Sequence, residues 1–557
     1  MKQASFNFIA LACLAACACS SSASDNGGSG GSGSIGSGAT SAGAASSGAS
    51  AGVGTSSAGS TASGGSSSVA GSTSSGGVGT SGGNTSSGGN TSNSGSSSGG
   101  NTSSGGSAGG LTSDPTLSTH PVSVSSGKVF NLSDNFFNTY WRPFYPISNF
   151  GFPVHIAPVQ RADGSLDVAW LDYSAADDVQ ATGLNAPATI YVTHIAADLS
   201  SSTTVSTNLK TYRLLGFTSD PSGNYYIAYN SDSPLRTHTD GDENNINGNE
   251  LRVAKFTSAS FDSKAWDSMI FGDIDNTKDG SKGDPGGAAS GVLGYDTKNQ
   301  QVVVYVGHSM SWGDNGKRHQ AGFLAYIDPG TGKEQASDRN LFMGANWWYS
   351  HNFNQRLKVE ADGTTWILAH GDAYPRQLGI CSFTYDSYKN NNAASDTQYF
   401  KINGDEGDNN TNAETGQFIH LSDGRFAIVH TSSQDRTMRD VHVLITDNTG
   451  KPVSDVWITN NTGTIQAVMP KLELLGQNLW VTYGLWDSGN GGASKSANWY
   501  AQVVSTDAKV VSGPKPLSGV EFDTSPPMFR FTAGPNNGGL AWVSGNSMHT
   551  LSVNVFR

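Results

Sequence analysis

The chain has 557 residues, with 45 acidic side chains against 32 basic ones and a formal charge of −13. That balance lacks the basic field that binding to a phosphate backbone requires, so nucleic acid is excluded as a partner. Three of the four cysteines, Cys13, Cys17 and Cys19, sit near the N-terminus, so the lone Cys381 leaves no disulfide framework to hold the fold.

In chain order, Met1-Lys2 supplies a positive start and Phe6 to Ala16 an apolar run of signal-peptide length. The run is too short to span a bilayer as a helix. Leu14-Ala15-Ala16-Cys17 resembles the bacterial lipobox, and the resemblance implies a signal peptide over 1–16 with Cys17 as the lipidated first residue. Ala18 after that cysteine, in place of Asp, implies passage to the outer membrane or cell surface. An ordinary cleaved secretory leader is the alternative. Residues 17–112 are almost wholly Ser, Gly, Thr, Ala and Asn, and from Ser20 to Gly110 no aromatic residue occurs. Such a stretch buries too little apolar surface to offset the entropy of ordering it, and reads as a disordered tether. Its reach is on the order of 50 Å.

Residues 113–557 carry nearly all the aromatic side chains, with no second linker. One unit recurs there: apolar strand, tight turn, second apolar strand, polar loop, third strand, turn, short fourth strand. The first turns fall at 162–164, 221–224, 297–299, 361–363, 422–424, 476–478 and 536–538, rich in Gly, Asn and Asp. Runs of β-formers follow each, at Leu166 to Leu171, Tyr225 to Tyr229, Gln301 to Val306, Thr365 to Ala369, Phe426 to Val429, Leu479 to Tyr483 and Leu540 to Val543. Third strands are expected at Ile190 to Ile195, Leu251 to Phe256, Gly322 to Ile327, Gly379 to Tyr385, Val441 to Thr446, Trp499 to Val504 and Met548 to Val553. No helical periodicity competes. Seven four-stranded units in series predict an all-β, seven-bladed β-propeller over 113–557, read as a monomer. The seventh unit runs out of chain before a fourth strand, and Val122 to Leu132 is placed to complete it.

In propellers the connections from second to third strands and from blade to blade share one face. Here those are long and irregular, so ligand chemistry belongs there. His308, His370 and His430 fall at the ends of the second strands of blades three, four and five. The loops they open carry Trp312, then Asp372, Tyr374 and Arg376, then Arg436, while Trp348, His351 and Asn352 enter blade four from the same face. Aromatic faces stack on sugar rings, Arg pairs with carboxylate or sulfate, and His or Tyr moves protons near neutral pH. The set is similar in kind to the sites of propeller-fold polysaccharide lyases, and that resemblance implies His351, His370, Tyr374 and Arg376 as catalytic groups. A repeated His at a strand end is equally a structural device that bonds a neighbouring carbonyl. A zinc ion shared by the three histidines is disfavoured by the separation between blades.

Asp240-Gly241-Asp242-Glu243-Asn244-Asn245 begins like a calcium loop, making Asp240, Asp242 and Asn244 the candidate ligands. It lacks the sixth-position Gly, and Glu250 falls one residue early. No nucleophile elbow, phosphate loop or His-Glu-x-x-His is present. Two readings stay open: a tethered propeller that binds a glycan or protein ligand, and a carbohydrate-active enzyme of lyase type. A purely structural envelope protein is a third.

Overall fold

The computed structural model describes residues 116–124, 129, 156–172, 179–180, 183–184, 187–211, 213–231, 251–271, 290–311, 318–335, 355–371, 377–389, 396–401, 413–434, 436–487, 498–518, 527–532, 539–547 and 549–556. Contacts divide the chain into Met1–Asn101, which holds none of these, and Thr102–Arg557, which holds them all.

Seven antiparallel sheets follow one another along the second unit, six with their strands in chain order from the inside outward and the seventh completed at its rim by the first strand of the unit. The first strand of each blade packs against the first or second strand of the next, and this closes the sheets into a propeller ring. Blade three shows three strands among the described residues; the other six show four. The second strands are Leu166–Leu171, Tyr225–Asn230, Gln301–Ser311, Thr365–Gly371, Phe426–Ser432, Asn478–Asp487 and Gly539–Ser547. Each contains the run of β-formers expected there.

The apolar cores lie between blades. Leu215, Tyr226 and Val253 of blade two pack with Val302, Val304 and Phe323 of blade three. Val429, Val441 and Val443 of blade five pack with Leu472, Leu479 and Val481 of blade six. A second strand sandwiched on both faces is buried throughout: all six residues of Leu166–Leu171 are buried, five of them apolar and the sixth Asp167. The outer strand Pro452–Trp457 of blade five holds none that is fully buried.

The two ends of the ring differ in their connections. At one end the turns between first and second strands of blades one, two, four and five repeat a single solution. The Gly164 N–H donates to Arg161 O at 2.9 Å and that of Gly424 to Leu421 O at 2.9 Å, with both glycines left-handed at φ 85° and 88°. A type I turn followed by such a residue needs glycine to avoid a Cβ clash. Asp163, Asp362 and Asp423 lock the same turns by accepting from the backbone two residues on, at 3.0, 2.9 and 3.1 Å. At the other end the connections run from short to residues 231–250 and 272–289.

Two features depart from expectation. The outer strand of blade seven is Leu117–Ser123, paired from Leu117↔Phe556 to Ser123↔Thr550, rather than Val122 to Leu132. An outer strand needs only one buried face, so Ser, Thr and His serve there. In blade four the third strand ends at Phe383, and Tyr385–Lys389 forms a one-turn helix. Thr384 caps it, accepting from the Ser387 N–H at 3.1 Å. Its Tyr385 and Tyr388 rings cover Tyr326 of blade three at 5.8 and 4.9 Å.

Candidate functional site

Strand bounds place the three repeated histidines toward the irregular end of their blades, yet inside the ladders. His308 pairs with Ala321, His370 with Leu378 and His430 with His442. Their strands run on to Ser311, Gly371 and Ser432. Trp312, Trp348, His351, Asn352, Asp372, Tyr374, Arg376, Asp240, Asp242, Asn244 and Cys17 lie outside the described residues. The side chains of His308 and His370 do so too. Among the described residues, no three His, Cys, Asp or Glu side chains come together in a set able to hold a metal ion, and no helix is long and apolar enough to cross a membrane.

Blade five shows most of the loop between its second and third strands, residues 433–434 and 436–439, among the described residues. Thr415, His430, His442 and Trp457 pair in turn across its four strands, forming one row from the inner strand to the rim. His430 is 3% exposed, with its ring stacked on His442 at 4.8 Å. It therefore sits beneath the surface and supports the row. His442 Nδ1 bonds Asp455 Oδ1 at 2.8 Å, and its ring meets Trp457 edge-on.

Arg436, from the loop between second and third strands, lies over Trp457 with its guanidinium carbon 4.0 Å from the ring centroid. Its Nη1 donates to Asp440 Oδ2 at 3.1 Å and to Asn460 Oδ1 at 2.9 Å. Asp440 is fully buried and fixed in turn, because its Oδ1 accepts from Thr459 Oγ1 and from the Asn461 N–H, each at 2.7 Å. The guanidinium is thus oriented from one edge and one face. No bond engages Nε or Nη2 among the described residues, and the side chain is 26% exposed. A fork held in this way suits a planar anionic or hydroxyl-rich group. Next to it, Arg439 is 1% exposed. Its backbone N–H donates to Gln466 Oε1 at 3.0 Å, and its carbonyl accepts from Asn461 Nδ2 and the Ala467 N–H, joining the corner to blade six.

Sequence reasoning missed His442, Trp457 and Asp440. Their partnership is a matter of register across strands, although counting ladder positions outward from His430 reaches them.

A His–Asp pair occurs at the opposite, short-turn end. His194 Nδ1 bonds the buried Asp167 Oδ1 at 2.5 Å, while Nε2 bonds Ala259 O of blade two at 2.8 Å. Bonding acceptors with both ring nitrogens calls for the imidazolium. Burial alone would lower its pKa, but the Asp167 hydrogen bond and charge outweigh burial and raise it. With no nitrogen left as a base, the pair latches blade one to blade two. His420 and Glu360 at 3.0 Å tie blade four to blade five at the same end.

No family model and no curated protein matches the chain. Among solved structures it is similar to a protein of unknown function from Dyadobacter fermentans DSM 18053, at 10% identity over 79% of this chain and 99% of that one, TM-score 0.39. It is similar also to the Dos1 propeller, at 9% identity over 74% and 94%, TM-score 0.40. A third is an ulvan lyase, described as a new family of polysaccharide lyase, at 12% identity over 65% and 80%, TM-score 0.39.

Proposed function

We propose that this chain is an extracytoplasmic lipoprotein of the outer membrane or cell surface, a monomer held through Cys17. On the irregular face of its propeller it binds a glycan or protein ligand. The observation that supports this reading is the Arg436–Trp457 corner, where a guanidinium is positioned by the buried Asp440 while its remaining donors carry no bond among the described residues. Preorganisation of that kind lowers the entropic cost of binding.

The test is a glycan array and a panel of acidic polysaccharides probed with the purified chain and with Arg436→Ala. Binding that falls about tenfold or more in the variant, at unchanged Tm, supports the reading; a ligand-free array, or binding indifferent to Arg436, sinks it. A lyase is the enzymatic alternative. In blade four only residues 372–376 join the second strand to the third, so Asp372, Tyr374 and Arg376 share one short connection that begins two residues after His370. Incubation with uronate polysaccharides, following absorbance from new unsaturated ends, discriminates between the two readings. Turnover lost in His370→Ala and Tyr374→Phe would make the protein an enzyme. Acylation at Cys17 is read separately, by metabolic labelling with a palmitate analogue in the natural chain and in Cys17→Ala.

A further inference from the structure

The blade-five corner balances its own charges. Two guanidiniums, Arg436 and Arg439, stand with two carboxylates, Asp440 and Asp455, and Arg436 Nη1 is held by the buried Asp440 at 3.1 Å. Among the described residues the corner therefore has no surplus of positive charge to draw an anion. An ionised ligand group would still have to shed its water, which costs far more than drying a hydroxyl.

What the corner offers is a mixed set of donors and acceptors. Arg436 Nε and Nη2 carry no bond among the described residues, on a side chain that is partly exposed. Asn460 is exposed; its Oδ1 accepts from Arg436 at 2.9 Å, and its Nδ2 carries no bond among the described residues. Asp455 supplies the complement. Its Oδ1 accepts from the His442 Nδ1–H at 2.8 Å, while Oδ2 is bonded to nothing among the described residues and the side chain is 48% exposed. Asp455 and Trp457 stand two apart on the strand Pro452–Trp457, so they share one face about 7 Å apart, roughly the span of a pyranose ring with its hydroxyls. Trp457 carries the guanidinium on its ring, so that face is closed to a sugar and recognition falls to hydrogen bonds.

A carboxylate or sulfate only accepts, and it would meet Asp455 charge to charge. A hydroxyl both donates and accepts, so the hydroxyls of one sugar can accept from Arg436 and Asn460 and donate to Asp455. We infer that the corner takes a neutral glycan through its hydroxyls and discriminates against uronates and sulfated sugars. The inference rests on the glycan-binding reading above and names the ligand class of that same site.

Calorimetric titration tests this with matched pairs: gluco-, manno- and galactooligosaccharides, each against its counterpart oxidised to the uronate at C6. The titrations run at about pH 8, where an ordinary histidine is neutral. The natural chain is expected to bind a neutral member about tenfold or more tighter than its uronate, at an affinity that holds as NaCl rises from about 50 to 500 mM. Asp455→Asn keeps an Oδ1 acceptor for His442 but puts an N–H in place of Oδ2. With its fold checked by circular dichroism, it should weaken neutral binding about tenfold and bring the uronate level or ahead. A natural chain that binds no member, or an order unchanged in Asp455→Asn, overturns the inference. Arg436-dependent binding that prefers the uronate, or that falls with salt, overturns this inference alone and leaves the corner as the binding site. Neutral binding undiminished in Arg436→Ala places the ligand elsewhere, and sinks the corner reading together with this inference.

Discussion

Gln417 of blade five and Met528 at the start of blade seven are bound to each other although a whole blade separates them in the chain. The Gln417 side-chain amide donates to Met528 O at 2.9 Å, and its carbonyl accepts from the Met528 N–H at 2.8 Å and the Leu472 N–H of blade six at 3.3 Å. One buried side chain thus satisfies backbone groups of two other blades. Gln417→Ala strands all three. Each such group costs about 1–3 kcal/mol, so urea denaturation should show a loss of several kcal/mol in total. Gln417→Glu keeps the acceptor but loses the donor, and should fall no less.

The neighbouring Gly416 makes that reach feasible. A Cβ there would meet Pro470 O at 2.5 Å and Val429 O at 2.7 Å, both backbone atoms that cannot move aside cheaply. The first strands of blades five and six each carry a register shift at this level, between Thr415 and Phe418 and between Val468 and Lys471. Gly416→Ala is expected to cost about 1–3 kcal/mol, visible as a lower Tm. Gly223→Ala is a different case: a Cβ there meets nothing within 4 Å, so its cost comes from the left-handed backbone alone.

The His194–Asp167 latch sets a pH dependence. The folded pKa of His194 lies above its ordinary value of 6.5. Its contribution is therefore full below that ordinary value and fades as pH rises through the folded pKa. His194→Gln should accordingly lose most Tm relative to the natural chain near pH 6, with the difference shrinking by pH 9. A gap that widens toward pH 9 would contradict this sign. At acid pH a separate loss is expected. The turn carboxylates Asp163, Asp362 and Asp423 are held below the ordinary carboxylate range, chiefly by hydrogen bonds from Ser165, Thr364 and Arg425. Their stabilisation is present above the unfolded value and disappears as pH falls through the lowered one.

Closure of blade seven predicts a sharp boundary for truncation. A chain beginning at residue 102 keeps Leu117–Ser123 and should retain the Tm of the full chain. One beginning at residue 125 removes that strand, along with the buried Val122 and Val124 that pack on Val543 and Val553. It bares the edge of Thr550–Phe556, and should melt several degrees lower and aggregate on light scattering.

Turn chemistry made the blade count readable, because left-handed glycines and Asx-bonding aspartates act within a few residues of sequence. The apolar second strands followed from the same locality. Strand ends were less legible. Gly307 to Ser311 reads as polar loop, yet it continues the ladder opposite Arg318 to Gly322 because pairing, not propensity, carries the backbone there. The helix at Tyr385–Lys389 is too short for periodicity to register, though its Thr384 cap is visible in hindsight. At the candidate site, His430 stood out through repetition along the chain. Its partners His442 and Trp457 follow only from register across strands, and the position of Arg436 depends on Asp440, whose role lies in its burial.

Pinning Leu117 to Phe556 also sets a timetable. Synthesis at roughly 5–20 residues per second leaves the first strand waiting some tens of seconds for its partner to be made. Until then Leu117–Ser123 lacks its partner and blade seven its rim. Early Ser, Thr, His and Pro in place of a sticky apolar strand suit a segment that must spend that interval unpaired.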